Sequence, residues 1–403
     1  MQQHRPVVIV GAGPVGLCLA LKLTQQDVPV CVIESLPEAS FLDQPRRAGT
    51  IHPSTLEMLD DIGLYQKLEP RGLIAPTMGY WDRQSGEMFA LFDHAALRED
   101  TRFPYVLQCE RLKIVEEAMK LLKTRSIADV RMSATFKSFT QDERGITATI
   151  SNEAGETETI DGSYIVSGEG AHSIIRKTLN IEFEGYTYPD RTMILSVVYD
   201  FDQRHGYAPR NYLSDPVEWA NLFKWPELWR VVLGTNIDED PDAVMSDASI
   251  KQRMKRLIPE ASDYQVLSRS LYTVHQRVAA SFRGGRAILA GDAAHVTTPI
   301  GGLGMNSGIH DALNLGEKLG AVIAQGKDES LLDLYSRQRH HVAVNYTKAQ
   351  TEKNKRLLEE KEPAIRQKNH DRMRRIAENP QLARDYLLRA SLIKSVREAA
   401  QIN

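Results

Sequence analysis

The hydrophobic pattern opens with four β-branched residues in a row, Val7-Val8-Ile9-Val10, which predict a short buried strand. Apolar residues at helical intervals over 17–23 follow, and then a second apolar strand over 28–33. A helix is predicted from Pro53 and Ser54, with Leu56, Met58, Leu59 and Ile62 as its apolar face and Gly63 as its stop. Then the period changes. Residues 78–82 and 87–92 alternate on either side of Arg83-Gln84-Ser85-Gly86, a hairpin with which a second sheet begins. The charged stretch 93–103 is predicted to be loop and 111–122 a helix. Residues 131–139, 145–151 and 157–160 predict antiparallel strands, and 163–166 another short buried strand. A β-rich block holds 193–199, 219–223 and 230–233, followed by a helix over 248–257 and a strand over 265–275. A buried strand over 287–290 leads through a glycine-rich loop to a helix over 307–323. From 331 onward the chain is helical and highly charged. Within it, 357–368 and 371–377 predict solvated surface helices, with a dimer face as the alternative. The sum is an α/β unit interrupted by a sheet-rich one.

Chemistry enters at the first turn. Gly11, Gly13 and Gly16 carry the G-x-G-x-x-G spacing between the first strand and the first helix. The first glycine permits the tight turn, the second lets a pyrophosphate approach the backbone, and the third lets helix and strand pack closely. The helix N-terminus offers unpaired N–H groups to the phosphates. Glu34 ends the second strand, where a carboxylate can accept hydrogen bonds from an adenosine ribose. These features predict a bound dinucleotide. A second glycine-rich loop, 301–308, opens no separate βαβ unit, so a second dinucleotide domain is not expected. Arg46 and Arg47 read equally well as solvated surface and as phosphate or flavin contacts.

Composition narrows this further. At 403 residues the chain exceeds one ordinary domain, and its formal net charge of -3 gives no basic excess for nucleic acid. Cys18, Cys31 and Cys109 are scattered and odd in number, as buried apolar residues in a reducing compartment would be. The N-terminus lacks a signal-peptide profile, and no apolar run is long enough for a membrane span. A cytoplasmic protein without a membrane partner, without a metal cluster and without nucleic acid is expected.

Three blocks in this order, Gly11 to Gly16 with Glu34, Ser167 to Arg176, and Arg286 to Asn314, resemble the single-component FAD-dependent aromatic hydroxylases, the family of 4-hydroxybenzoate hydroxylase. The third block is the most telling: Gly285-Arg286, an apolar strand, Gly291-Asp292-Ala293-Ala294-His295, then Pro299, Gly301, Gly302 and Asn306. The resemblance spans about residues 6–345 and implies a glutathione reductase-type, Rossmann-like FAD domain (1–71, 101–180 and 271–345). Into it is inserted an α+β substrate domain with a large mixed sheet (72–100 and 181–270), and a C-terminal helical segment (346–403) follows.

What the resemblance implies for single residues can be stated position by position. Arg47 reaches the FAD phosphates and Gln108 contacts the flavin. Asp292 accepts a hydrogen bond from the ribityl chain. The loop from Pro299 to Asn306, with Gly304, Met305 and Asn306 at a helix N-terminus, presents N–H groups to the pyrimidine edge, where negative charge grows on reduction. Glu169 stands where the family carries an aspartate that links FAD to the NAD(P)H pyrophosphate region. A small displacement of the carboxylate is the favoured consequence, and altered nicotinamide handling the sharper alternative.

The implied reaction uses NAD(P)H and O2. Reduced flavin forms a C4a-hydroperoxide, which transfers oxygen to an activated phenolic or heteroaromatic ring. The Pro299 carbonyl is expected near the reacting hydroxyl, with His52 and Tyr212 as further candidate catalytic groups and His275 and His295 as weaker proton carriers. Trp219, Phe223, Trp225, Trp229 and Arg230 are candidate substrate contacts on the sheet, and Arg210 or Arg230 a partner for an acidic group. The loop 35–39 has no basic residue for a 2′-phosphate, so NADH is expected to serve at least as well as NADPH. Relatives occur as monomers or homodimers. The alternatives are an FAD-dependent oxidoreductase or epoxidase acting on a non-aromatic substrate, a halogenase, for which the Trp-x-Trp-x-Ile-Pro signature is missing, and a flavin-bound scaffold.

Overall fold

The computed structural model describes residues 5–42 and 49–403. Two large sheets organise it. The first has six strands in the order Arg283–Gly284, Ala287–Leu289, Tyr164–Ser167, Val7–Val10, Val30–Ile33 and Ala128–Arg131. All but the first pair are parallel. Val7 to Val10 lie in the middle and are buried throughout, as a strand covered on both faces requires. The helix Pro14–Thr24 leaves the end of that strand and packs along the helix Leu303–Gln325. Their approach is so close that a Cβ on Gly316 would lie 2.6 Å from Lys22.

The second sheet has eight strands, in the order His295–Val296, Gln265–Ala279, Phe183–Val198, Trp229–Asn236, Ala220–Lys224, Arg210–Ser214, Thr77–Asp82 and Glu87–Asp93. It is mixed: Arg210–Ser214 runs parallel to Thr77–Asp82, which pairs Tyr212 with Tyr80, and its other pairs are antiparallel. Alternation along the strands divides the aromatics. Tyr80, Tyr212, Trp219, Phe223 and Trp225 share one cluster, while Trp229 packs with Leu213, Leu222 and Val231 in the other.

Four expectations are corrected. The predicted run 131–139 is two strands, because Ser133 takes a left-handed φ of 56° and separates Ala128–Arg131 from Thr135–Asp142 in a different sheet. The predicted loop 93–103 contains a tight helical turn, His94–Leu97, started by the Asp93 carboxylate accepting from Ala95 N–H. The strand over 193–199 begins much earlier, at Phe183, so it can span both partners, Gln265–Ala279 and Trp229–Asn236. Most consequential, the C-terminal helices are not merely solvated surface. Leu357, Leu358, Met373, Leu387, Leu388 and Ile393 are buried in one cluster with Tyr80, Tyr212 and Phe223. Their charged outer faces dominate the composition, and a sparse apolar stripe at helical spacing does the packing.

Candidate active site

The first glycine turn is built for close approach. Gly11 has φ of +105°, and a Cβ there would lie 2.5 Å from the Gly168 carbonyl oxygen; one on Gly16 would lie 2.0 Å from the Gly11 carbonyl. At Gly13 a Cβ would meet nothing within 4 Å, so this residue faces open space at the start of the helix Pro14–Thr24, whose N-terminus has no side-chain cap. That is the cradle a pyrophosphate needs. Glu34 stands over the turn: its carboxylate accepts from Ala12 N–H at 3.1 Å and from Leu36 N–H at 3.0 Å. Gln108 is fully buried beside Thr50, whose hydroxyl donates to its Oε1 at 2.8 Å. Among the described residues its Nε2 has no hydrogen-bond partner, leaving a buried donor for a ligand acceptor. An open glycine, an uncapped helix and an unspent amide fit a bound dinucleotide along this groove.

Glu169 behaves as a local cap. Its carboxylate accepts from the Ser167 and Ser173 hydroxyls, both at 2.7 Å, and from the N–H groups of Ile174 and Ile175. The extra methylene lets it fold back onto its own helix start. Ser173 also caps that helix through Arg176 N–H at 3.0 Å.

The Gly291-Asp292 turn is held from behind by Asp311. This carboxylate is fully buried and accepts from Gly291 N–H at 2.9 Å, His295 Nε2 at 2.8 Å and Arg339 Nε at 2.6 Å. Burial would raise its pKa, but the Arg339 charge and then His295 outweigh that and hold it below the usual carboxylate range. His295 is thus part of the support of this turn, and Asp292 itself is exposed at the turn's tip. The following loop closes through Gly302 N–H donating to the Pro299 carbonyl at 3.0 Å, with Gly301 and Gly302 at positive φ. The helix Leu303–Gln325 then starts without a side-chain cap, so the N–H groups of its first turn, Gly304 and Met305 among them, stay available. Asn306 Oδ1 accepts from His52 N–H at 2.9 Å, and its Nδ2 donates to Thr50 and Gly302 carbonyls. Its side chain therefore ties the loop to the His52 segment.

Against this loop the eight-stranded sheet and the C-terminal helices line a narrow, partly open pocket. Met78, Tyr80, Arg210 and Tyr212 come from the sheet, His52, Gly301 and Leu303 from the loop side, and Tyr386, Ala390 and Ser391 from the tail. Arg210 is 2% exposed, donates to the Tyr212 hydroxyl at 3.1 Å, and has no partner for its Nε among the described residues. The Tyr80 and Tyr386 hydroxyls pair at 2.7 Å. His52 Nε2 lies 2.9 Å from the Gly301 carbonyl. Burial, and next the Arg210 charge, push its pKa well below the ordinary value, so it is a neutral donor to that carbonyl.

The structure thus brings His52 and Tyr212 to one cavity, together with Arg210. Other predicted substrate contacts fall elsewhere. Phe223 packs edge-on to Tyr212 at 5.7 Å and supports that wall. Trp219 lies against Gly234 and lines a separate surface groove. Arg230 is buried against Glu110 at 3.2 Å and Ser196, with its guanidinium over Trp225. Trp229 faces the opposite side of the sheet. His275 binds Thr187 at 2.9 Å and is exposed. The Pro299 carbonyl is engaged in its own turn. Arg46 and Arg47 lie outside the described residues. Sequence reasoning missed His94, Tyr80 and the tail residues Tyr386, Ala390 and Ser391. The period-2 alternation shared by Tyr80 and Tyr212 was the available signal.

Comparison with known proteins agrees with this geometry. The FAD binding domain family matches residues 4–350. The chain is 35% identical to para-nitrophenol 4-monooxygenase of Pseudomonas sp. (strain WBC-3), covering 95% of this chain and 94% of that protein. It is 31% identical to 6-hydroxy-3-succinoylpyridine 3-monooxygenase of Pseudomonas putida (strain DSM 28022 / S16), covering 90% and 91%. The crystal structure of p-nitrophenol 4-monooxygenase from Pseudomonas putida DLL-E4 superposes with a TM-score of 0.90 at 34% identity, over 96% of this chain and 98% of that one. With both glycine blocks and the buried support of the Gly-Asp turn in place, this chain belongs to the family of FAD-dependent aromatic hydroxylases.

Proposed function

We propose that this enzyme hydroxylates a single-ring phenolic or heteroaromatic substrate carrying an anionic or nitro-like group, at the expense of NAD(P)H and O2. One observation carries the reading: the pocket between the sheet, the glycine-rich loop and the tail holds the buried Arg210 and, among the described residues, no carboxylate in its wall. We assign 72–100 and 181–270 to the substrate domain. The backbone of Gly11, Gly13 and Gly16 would hold the FAD pyrophosphate, Glu34 the adenosine ribose, and Asp292, Gln108 and the first N–H groups of Leu303–Gln325 the flavin end. When bound, FAD supplies oxygen activation at the cost of a hydride. The chain's own residues bind and orient the ring through Arg210, keep water out with the Tyr80, Tyr212 and Tyr386 walls, and hold the flavin loop through His52 and Asn306.

NADH is proposed to serve at least as well as NADPH. Residues 35–39 carry no cation, and Lys123, which reaches this loop, is held by Glu38 at 2.7 Å. Steady-state rates with each nucleotide test this; a strong preference for NADPH would overturn it. The cytoplasm, where NAD(P)H is supplied and the free buried thiols of Cys18, Cys31 and Cys109 stay reduced, is the proposed compartment. The reading as a whole is tested by NAD(P)H oxidation and product formation with a panel of phenols, nitrophenols and hydroxylated heteroaromatic acids. The expected result is stimulation coupled to a hydroxylated product. Oxidation indifferent to every aromatic would refute it.

A further inference from the structure

We infer that Asn354 orients the substrate, donating from its Nδ2 to an acceptor substituent on the ring: a nitro, carboxylate or carbonyl oxygen. The inference rests on the aromatic-substrate reading above and adds a residue from beyond the glycine-rich loop to it. Asn354 lies on the helix Ala349–Glu359 and lines the pocket together with Gln350, Gly301 and Arg210. Its Nδ2 sits over Gly301, where a Cβ would lie only 2.8 Å from it. Gly301 also has φ of +103°. The glycine therefore serves twice: it makes the turn, and its missing side chain leaves room for the amide. Among the described residues, the Asn354 side chain makes one hydrogen bond, which its Oδ1 accepts from Gln350. The nitrogen, placed against the loop, keeps its donors unspent.

Which end of an amide faces a ligand is decided by its neighbours, and here the decision starts at a group that only donates. Arg389, on the tail helix Pro380–Ala390, directs its Nε to Gln350 Oε1 at 3.0 Å, and a guanidinium has no acceptor. Gln350, 4% exposed, must therefore give its oxygen to Arg389 and its Nε2 to Asn354, whose Oδ1 it meets at 2.8 Å. Asn354 then has its oxygen spent and its nitrogen left over. Arg389 is itself held in place. Its Nη2 donates to the Asn345 carbonyl at 3.2 Å, and its guanidinium lies over the Tyr346 ring, 4.8 Å from the centroid. Polarity thus runs one way through three side chains, from the tail to the pocket. Arg389 is a positioning residue, acting through Gln350, and Asn354 is the specificity-determining one. A substituent that cannot accept leaves Nδ2 unpaired in the complex, which costs binding. Arg210 supplies a second, charged donor from the sheet side of the same pocket. A ring with oxygen on two substituents satisfies both donors, and a ring with oxygen on one satisfies only one.

The test uses purified holoenzyme and two probes, 4-nitrophenol and 4-methylphenol. They share a ring hydroxyl and differ in whether the opposite substituent accepts a hydrogen bond. The change in FAD absorbance on binding gives each dissociation constant. Each probe is compared with itself across variants, so its own acidity cancels. Asn354→Leu and Asn354→Asp remove the donor at nearly constant size. Each should cut the preference for 4-nitrophenol over 4-methylphenol by about 3- to 10-fold, the loss of one hydrogen bond. In Arg389→Gln the new side chain can accept as well as donate, which frees both amides to turn over, so part of the preference should be lost. Arg389→Lys, which still only donates, should keep it. An unchanged ratio in both Asn354 variants would overturn the assignment. Loss of FAD from both would give the donor to the cofactor and overturn it too. A preference lost equally in Arg389→Lys and Arg389→Gln would overturn the positioning role of Arg389. Wild-type holoenzyme that binds neither phenol would instead overturn the aromatic-substrate reading, and the assignment with it.

Discussion

Asp311→Asn isolates the device that holds the Gly291-Asp292 turn. The wild-type carboxylate is 0% exposed and joins Gly291 N–H, His295 and Arg339, the last at 2.6 Å with its own side chain 2% exposed. The amide is the same size and keeps one acceptor, so no cavity is created. What is lost is the charge that compensates a buried guanidinium. Breaking a buried pair from one side costs about 3–5 kcal/mol. Because the amide still accepts from one partner, the lower end, about 3 kcal/mol, is expected. At about 2 °C per kcal/mol for a large chain, the melting temperature should fall by roughly 6 °C. The Gly291-Asp292 turn should loosen with it, so FAD should bind more weakly. Thermal unfolding by circular dichroism and FAD titration by fluorescence measure both. The Asp311→Asn/Arg339→Met double variant removes both charges and should recover a large part of the loss. Two results would refute the reasoning: a single variant within about 1 kcal/mol of wild type, or a double variant no better than the single. In wild type the depressed carboxyl contributes stability that is present above the ordinary aspartate pKa. That stability is lost as pH falls through the lower folded value, so the gap between wild type and variant should close in acid.

Further outcomes follow from single residues. Gly16→Ala places a Cβ 2.0 Å from the Gly11 carbonyl oxygen, so the purified protein should carry little FAD by absorbance. Arg210→Gln removes charged hydrogen bonds worth about 1.5–3 kcal/mol, so KM for an anionic substrate should rise about 10- to 100-fold, with a smaller effect on a neutral phenol. Leu387→Ala, at a fully buried tail position, should cost about 2–5 kcal/mol in denaturant unfolding and lower affinity for the aromatic. If the tail were only solvated surface, the change would be near neutral. Tyr386→Phe breaks the pair with Tyr80 and should cost about 1 kcal/mol while leaving FAD content unchanged.

Much of the FAD half was legible because its signals are local. Gly11, Gly13 and Gly16 sit between a strand and a helix only a few residues long, and the turn they make depends on their own missing side chains. The substrate half was not. Trp219, Trp229 and Arg230 have the composition expected of a binding face, yet alternation and cross-strand register send them to a groove, to the far side of the sheet and to Glu110. His94 was hidden in a charged stretch that reads as loop, and nothing adjacent in the chain announces that it lines the same pocket as Arg210.

The amino-acid order alone therefore determined the α/β class, the glycine turn between the first strand and the first helix, the strand ends at Glu34 and at Gly291-Asp292, and the existence of a second sheet. Each follows from interactions within about one strand and one helix. The tertiary structure alone decided which residues line the pocket. The cavity draws on Met78 and Tyr80, Arg210 and Tyr212, Gly301, and Tyr386 to Ser391, segments brought together by a parallel pairing within a mixed sheet and by a tail helix packed over it. Side-chain direction in a strand reverses at every residue, and whether a charged helix is surface or wall depends on what lies under its narrow apolar stripe. Both are settled only when the distant partners are in place.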